Sequence, residues 1–109
     1  MSKNIIELTN ENFDKEVLIK STVPVLVDFW AQWCGPCKAL GPLLQEVTAE
    51  SGGSFKIAKV NIDEHPELAS HWDVMNIPTM ILFKGGKEVD RLVGLMPKQK
   101  ILARIEAVL

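Results

Sequence analysis

The chain has 109 residues, 47% hydrophobic and 24% charged, with a formal net charge of −2. A chain of this length suits one domain burying roughly 65% of its unfolded surface, and the balance of apolar to charged residues excludes a disordered or fibrous protein. Fourteen acidic side chains against twelve basic ones, with no Lys/Arg cluster, exclude a surface built to neutralise phosphates or anionic lipid, so neither nucleic acid nor membrane is expected as a partner.

No apolar run approaches the ~20 residues of a membrane span, and the first ten residues lack the basic, apolar and small-residue regions of an export signal. A cytosolic protein is expected. Its two cysteines, Cys34 and Cys37, are too close in sequence to staple a framework. In a reducing compartment such a pair points to catalysis or metal binding.

In chain order, residues 4–8 predict a short strand, and Thr9 and Asn10 are N-cap candidates for a helix that carries Phe13, Val17 and Leu18 on one face and ends near Lys20. After Pro24, Val25-Leu26-Val27-Asp28-Phe29-Trp30 is the almost continuous apolar run of a central strand covered on both faces, with Asp28 its one anomaly. From Pro36 the spacing of Leu40, Leu43, Leu44 and Val47 predicts a helix that ends at Gly52-Gly53, with a kink at Pro42. The next strand, residues 55–62, completes a βαβ unit and should lie parallel to the first member of that unit. Asp63 and Pro66 precede a short helix to about Trp72, and Ile77-Pro78 opens a strand over residues 79–83. Lys84-Gly85-Gly86-Lys87 predicts a hairpin turn into a strand over residues 88–93. Pro97 suits the first turn of a last helix with apolar positions Ile101, Leu102, Ile105, Val108 and Leu109. The order βαβαβαββα implies an α/β fold, a mixed sheet with helices on both faces. No repeat, linker or low-complexity segment divides residues 1–109, so a single domain is expected.

A Cys-x-x-Cys at a strand-to-helix junction places both sulfurs in the first helical turn, where unpaired N–H groups and the positive end of the helix dipole stabilise a thiolate. Cys34, opening the turn and facing outward, is the expected nucleophile. Cys37, one turn further in, is placed to attack a mixed disulfide at Cys34 and release the reduced substrate. Zinc competes for the same pair, since His65 and His71 could nominally complete a four-ligand set. Against it, 27 residues including a whole strand separate Cys37 from His65, and histidines six apart on a helix point to different faces. Solvated side chains on a short helix account for both histidines, and no metal site is expected.

The run Val27-Asp28-Phe29-Trp30-Ala31-Gln32-Trp33-Cys34-Gly35-Pro36-Cys37-Lys38 resembles the active-site segment of the thioredoxin family. Lys59, Ile77-Pro78-Thr79, Phe83-Lys84-Gly85-Gly86 and Gly94 stand in the family's order and spacing, so the similarity covers the whole chain. The family fold it implies, a central mixed sheet flanked by helices, agrees with the element order. By this resemblance Asp28 is the buried aspartate that exchanges a proton with Cys37, and Lys59 is its partner on the adjacent strand. A carboxyl inside that apolar run loses hydration, which raises its pKa toward the range useful for acid/base work; a structural Asp capping a nearby backbone group is the alternative. Pro78 resembles the family's cis-proline, beside which the backbone is free to pair with an extended substrate, whereas base rates alone favour a trans bond. Trp33, Gly35, Pro36, Ile77 and Gly94 would form the apolar contact surface around Cys34, with Trp30 packed beneath it.

A thiol of pKa near 8.5 is only about 3% thiolate at pH 7, whereas one near 7 is roughly half ionised; the lower value is that of thioredoxin itself and is taken over with the resemblance. The resemblance implies an electron carrier that reduces protein disulfides with no bound cofactor. It is re-reduced by thioredoxin reductase, which draws on NADPH, and the carrier is expected to be monomeric. Two other functions use the same residues. An oxidant or isomerase would run the exchange in reverse, and more oxidising relatives often carry histidine between the cysteines where this chain has Gly35-Pro36. A binding module would use the apolar rim alone. Gln32, Val74-Met75-Asn76 and Leu95-Met96-Pro97 depart from common family patterns and change the rim that partners touch.

Overall fold

Val25, Leu26, Val27, Asp28 and Phe29 are all buried, as an apolar run covered on both faces requires. They form most of β2 (Val25–Trp30), the middle strand of a five-stranded sheet ordered β1-β3-β2-β4-β5. The computed structural model describes residues 5–109; Asn4, the expected first residue of the opening strand, lies outside the described residues. The other strands are β1 (Ile5–Leu8), β3 (Lys56–Asn61), β4 (Thr79–Lys84) and β5 (Lys87–Val93), and the helices are α1 (Gly35–Ala49), α2 (Pro66–His71) and α3 (Lys98–Glu106). β3 pairs parallel to both β1 and β2, while β4 runs antiparallel to β2 and to β5.

The sheet separates two apolar layers. On one face Leu26, Ile57, Met80, Leu82 and Leu92 pack against Leu40, Leu44 and Val47 of α1 and Ile101 and Ile105 of α3. On the other, Val25, Val27, Phe29, Val60, Ile81 and Phe83 pack against Phe13, Val17 and Leu68. Trp72 joins this second layer, with its ring centroid 5.8 Å from Phe13 and 4.9 Å from Phe83.

Three local details differ from the sequence reading. The helix expected after Thr9 is a single widely wound segment, Asp14–Ile19, in which the Lys20 N–H reaches back five residues to the Lys15 carbonyl at 2.8 Å. Thr9 does cap the preceding turn: its Oγ1 accepts from the Glu11 and Asn12 N–H groups, and Asn12 Oδ1 accepts from the Thr9 N–H at 2.7 Å. Helix α1 contains Pro42 as expected but stops at Ala49, before Gly52 and Gly53. Pro97 is the N-cap of α3 and not a member of its first turn, and because that helix ends at Glu106, Leu109 lies past it and is half exposed.

The turn between β4 and β5 has both central residues in the left-handed region, Gly85 at φ 61° and Gly86 at φ 79°, which matches the twist of the flanking strands. A Cβ at Gly86 would also stand 2.9 Å from the Leu18 carbonyl oxygen. Gly86→Ala should therefore lower the unfolding free energy by roughly 1–3 kcal/mol, read from the urea midpoint. Gly52→Ala, at φ 55° with open space around the new methyl, should cost less.

Candidate active site

The site begins where β2 hands over to α1. Cys34 is the N-cap of α1, with extended backbone (φ −91°, ψ 113°), and Gly35 and Pro36 form the start of the helix. A proline there is tolerated because the first N–H groups of a helix have no partner within it. One of those groups, the N–H of Cys37, is aimed at Cys34 Sγ at 3.2 Å. The two cysteines are joined in a disulfide with Cα atoms 5.2 Å apart.

The outward-facing Cys34 of the sequence reading needs correcting: in the disulfide Cys34 is 5% exposed and Cys37 4%. Trp30, Ile62 and Ile77 close around the pair with Ala31, and the Ile77 carbonyl oxygen lies 3.8 Å from Cys34 Sγ. The difference between the sulfurs lies in their surroundings. Cys34 stands at the helix N-terminus, where a free N–H and the dipole favour negative charge on sulfur, and Cys37 sits within the first turn.

The Ile77–Pro78 bond is cis, as the family resemblance implies and as spacing alone did not. The segment is tied down by the Gly94 N–H, which donates to the Pro78 carbonyl at 2.8 Å, and by Thr79 Oγ1, which donates to the Asn76 carbonyl at 2.5 Å. Gly94 thus joins the site through the backbone. Trp33 is 68% exposed and its indole Nε1 donates to Asp63 Oδ2 at 3.0 Å. Nothing in the sequence pattern places Asp63 at the site, because the contact spans 30 residues and has no local signature. Met75 is 89% exposed, two residues before Ile77, so its departure from the family pattern falls on the open rim.

Asp28 is 1% exposed, and its Oδ1 is buried without a hydrogen-bond partner. It pairs in register with Lys59 of β3 and Met80 of β4, on the sheet face covered by α1. Burial pushes its carboxyl from 3.8 up to about 7, and the positive charge of Lys59 opposes part of that rise. The Lys59 ammonium stands 4.4 Å from the centre of the Trp30 ring, a cation–π contact that holds it beside the site. Asp28 is therefore an ionisable group poised near neutrality, because desolvation outweighs an adjacent cation.

The two histidines lie apart from this chemistry. His65 precedes α2 with a buried Nδ1 that has no partner, and His71 stands edge-on to Trp72 with ring centres 5.0 Å apart. Among the described residues no group of three or more His, Cys, Asp or Glu side chains is placed to hold a metal ion, nor is any helix long and apolar enough to cross a membrane.

A redox-active cysteine pair at a helix N-terminus, beside the Ile77 carbonyl that precedes a cis-proline, defines a thiol–disulfide oxidoreductase. The thioredoxin family model matches residues 4–107, and the chain belongs to the thioredoxin family with its α/β fold. It is 46% identical over 100 residues to thioredoxin 1 of a Nostoc species, covering 92% of each chain. Over 106 residues it is 45% identical to thioredoxin 2 of Chlorobaculum tepidum, covering 97% of this chain and 96% of the relative. A bifunctional thioredoxin reductase/thioredoxin of Mycobacterium leprae shares 48% identity over 97 residues, which is 89% of this chain and 21% of that longer protein.

Proposed function

We propose that this chain is a reductant of protein disulfides, with the Cys34–Cys37 pair at the N-terminus of α1 as the observation that carries the reading. The Cys34 thiolate attacks one sulfur of a target disulfide, forming a bond between Cys34 Sγ and the target and expelling the target's other sulfur as a thiolate, which takes up a proton. Cys37, losing its proton to Asp28, then attacks Cys34 Sγ. That step breaks the mixed disulfide, releases the second target thiol and closes the Cys34–Cys37 bond. Two electrons and two protons pass to the target. Lys59 tunes Asp28 through its charge, and Trp33, Gly35, Pro36, Ile77, Pro78 and Gly94 receive the target segment.

The direction of flow follows from what lies between the cysteines. Gly35 and Pro36 bring no side-chain charge that would hold Cys34 as a very stable thiolate, the feature that turns such a disulfide into a strong oxidant. Re-reduction by an NADPH-dependent thioredoxin reductase fits the fused reductase/thioredoxin relative. A single-domain monomer working in the cytoplasm completes the reading.

The deciding measurement is the reduction potential of the Cys34/Cys37 couple, followed by tryptophan fluorescence in buffers of known poise. Trp30 packs against the pair and Trp33 precedes Cys34, so both should report the change. A potential near about −270 mV, the value of thioredoxin itself, is expected for a reductant. A potential nearer about −180 to −120 mV would make the chain an oxidant or isomerase, and failure to form the internal disulfide would leave only a binding role.

A further inference from the structure

Helix α2 ends in a pattern that leaves work for a distant side chain. The Val74 N–H bonds the Ala69 carbonyl at 2.8 Å and the Asp73 N–H the Ser70 carbonyl at 3.2 Å, with Asp73 in the left-handed region at φ 55°. This is a common way to stop a helix, but it leaves later carbonyls without partners. Arg91 of β5 supplies them: its Nη2 donates to the Trp72 carbonyl at 2.8 Å and its Nη1 to the Asp73 carbonyl at 3.2 Å. Glu88 holds the same guanidinium, accepting from Nε at 2.8 Å and from Nη2 at 2.9 Å.

Glu88 and Arg91 can share a guanidinium fork only because β5 is irregular. Glu88 pairs with Phe83 and Asp90 with Leu82, so Val89 is an extra residue. That bulge reverses the alternation and puts Glu88 and Arg91 on the face of Phe83 and Ile81, the face that α2 covers. Asp90 takes the opposite face and pairs with Arg104 of α3. The segment from Asp73 to the cis-proline is therefore clamped at both ends, by the edge strand and by the residue that follows it. Arg91 holds its start, and Gly94, three residues further along the chain, holds its end through the Pro78 carbonyl.

We propose that Arg91, oriented by Glu88, is a positioning residue for protein-disulfide recognition: it sets the path of residues 74–77, so that Met75 and Ile77 stand where an extended target segment meets the cysteines. This rests on the reading that the Ile77-Pro78 segment receives the target. Arg91 touches neither sulfur, so it acts on binding of a polypeptide and leaves thiol chemistry alone.

The test compares insulin with hydroxyethyl disulfide as substrates of the reduced chain. Arg91→Met keeps the alkyl stem and removes the fork; it should raise KM for insulin roughly fivefold to tenfold while kcat and the small-disulfide rate stay within about twofold. Arg91→Lys should recover only part of this, since an ammonium cannot fork. Glu88→Gln should shift KM the same way by less, and adding it to Arg91→Met should change nothing more. Amide exchange at Asp73 and Val74, whose N–H groups bond the Ser70 and Ala69 carbonyls, should quicken in Arg91→Met. An unchanged insulin KM, or equal losses with both substrates, overturns the proposal. If Arg91→Met does not fold, an unchanged KM in Glu88→Gln overturns it. A parent chain that reduces hydroxyethyl disulfide but not insulin refutes the functional reading instead, and amide exchange then still decides whether Arg91 holds the loop.

Discussion

In a Cys37→Ser variant, reduced Cys34 should accumulate as a covalent adduct with a disulfide substrate, and turnover should fall on the order of a thousandfold. The reason is geometric. Cys37 lies in the same helical turn as Cys34, close enough to bond it, so its attack on the mixed disulfide is intramolecular. Such arrangements act as though the attacking group were present at effective concentrations far above any solution thiol. A serine hydroxyl cannot replace it, and the adduct waits for an external thiol. Intact mass measurement under non-reducing conditions should show one substrate bound per chain, and Cys34→Ser should show none. An adduct that forms through Cys37 in Cys34→Ser would exchange the two roles, and a Cys37→Ser variant that turns over at the parent rate would remove Cys37 from the release step.

Asp28→Asn should make the chain more stable and slower at once. The carboxyl titrates near 3.8 when unfolded and near about 7 when folded, raised by burial against the opposing charge of Lys59. A folded value above the unfolded one means that the folded state binds the proton more tightly. The contribution of Asp28 to stability is thus largest below about pH 4, falls as pH rises through about 7, and levels off once the buried carboxyl has ionised in the folded state as well. The ionised form costs at most about 4 kcal/mol at pH 8. An asparagine cannot ionise but leaves a buried amide short of partners, so a gain of roughly 2–3 kcal/mol at pH 8, turning into a loss of about 1–2 kcal/mol near pH 4, is expected. Urea unfolding at a series of pH values checks it. Release of the mixed disulfide should slow by roughly ten- to a hundredfold and lose its inflection near neutral pH. An Asn variant that is less stable and fully active would take Asp28 out of the mechanism.

Both predictions draw on residues that stand out in the sequence, and the reason is physical. Apolar periodicity reports burial, so Val25-Leu26-Val27 announces a doubly covered strand and the spacing of Leu40, Leu44 and Val47 a helix, with Asp28 conspicuous as the charge in the run. Gly85-Gly86 sets its own turn, and Cys34 and Cys37 lie too near one another to do anything but act together. Element order, parallel pairing of β2 with β3 and the location of the chemistry were therefore legible from local pattern. The cis state of Pro78 was available only through the family, because spacing alone favours trans.

What local pattern could not supply was everything set by contacts distant in sequence. The wide winding of the Asp14–Ile19 segment, the near-equal burial of Cys34 and Cys37 beneath Ile77 and Trp30, and the bond from Trp33 to Asp63 all depend on elements brought together by packing. β5 shows the division most clearly. Strict alternation puts Glu88 and Arg91 on opposite faces of a strand; one bulge at Val89, decided by pairing with β4, reverses that and turns two surface charges into the clamp on the loop before Pro78. Sequence by itself determined which elements form and where the sulfur chemistry lies, since both follow from side chains near in the chain. Tertiary structure alone decided how the loop facing those sulfurs is held, since register and face are properties of two strands together and not of either one.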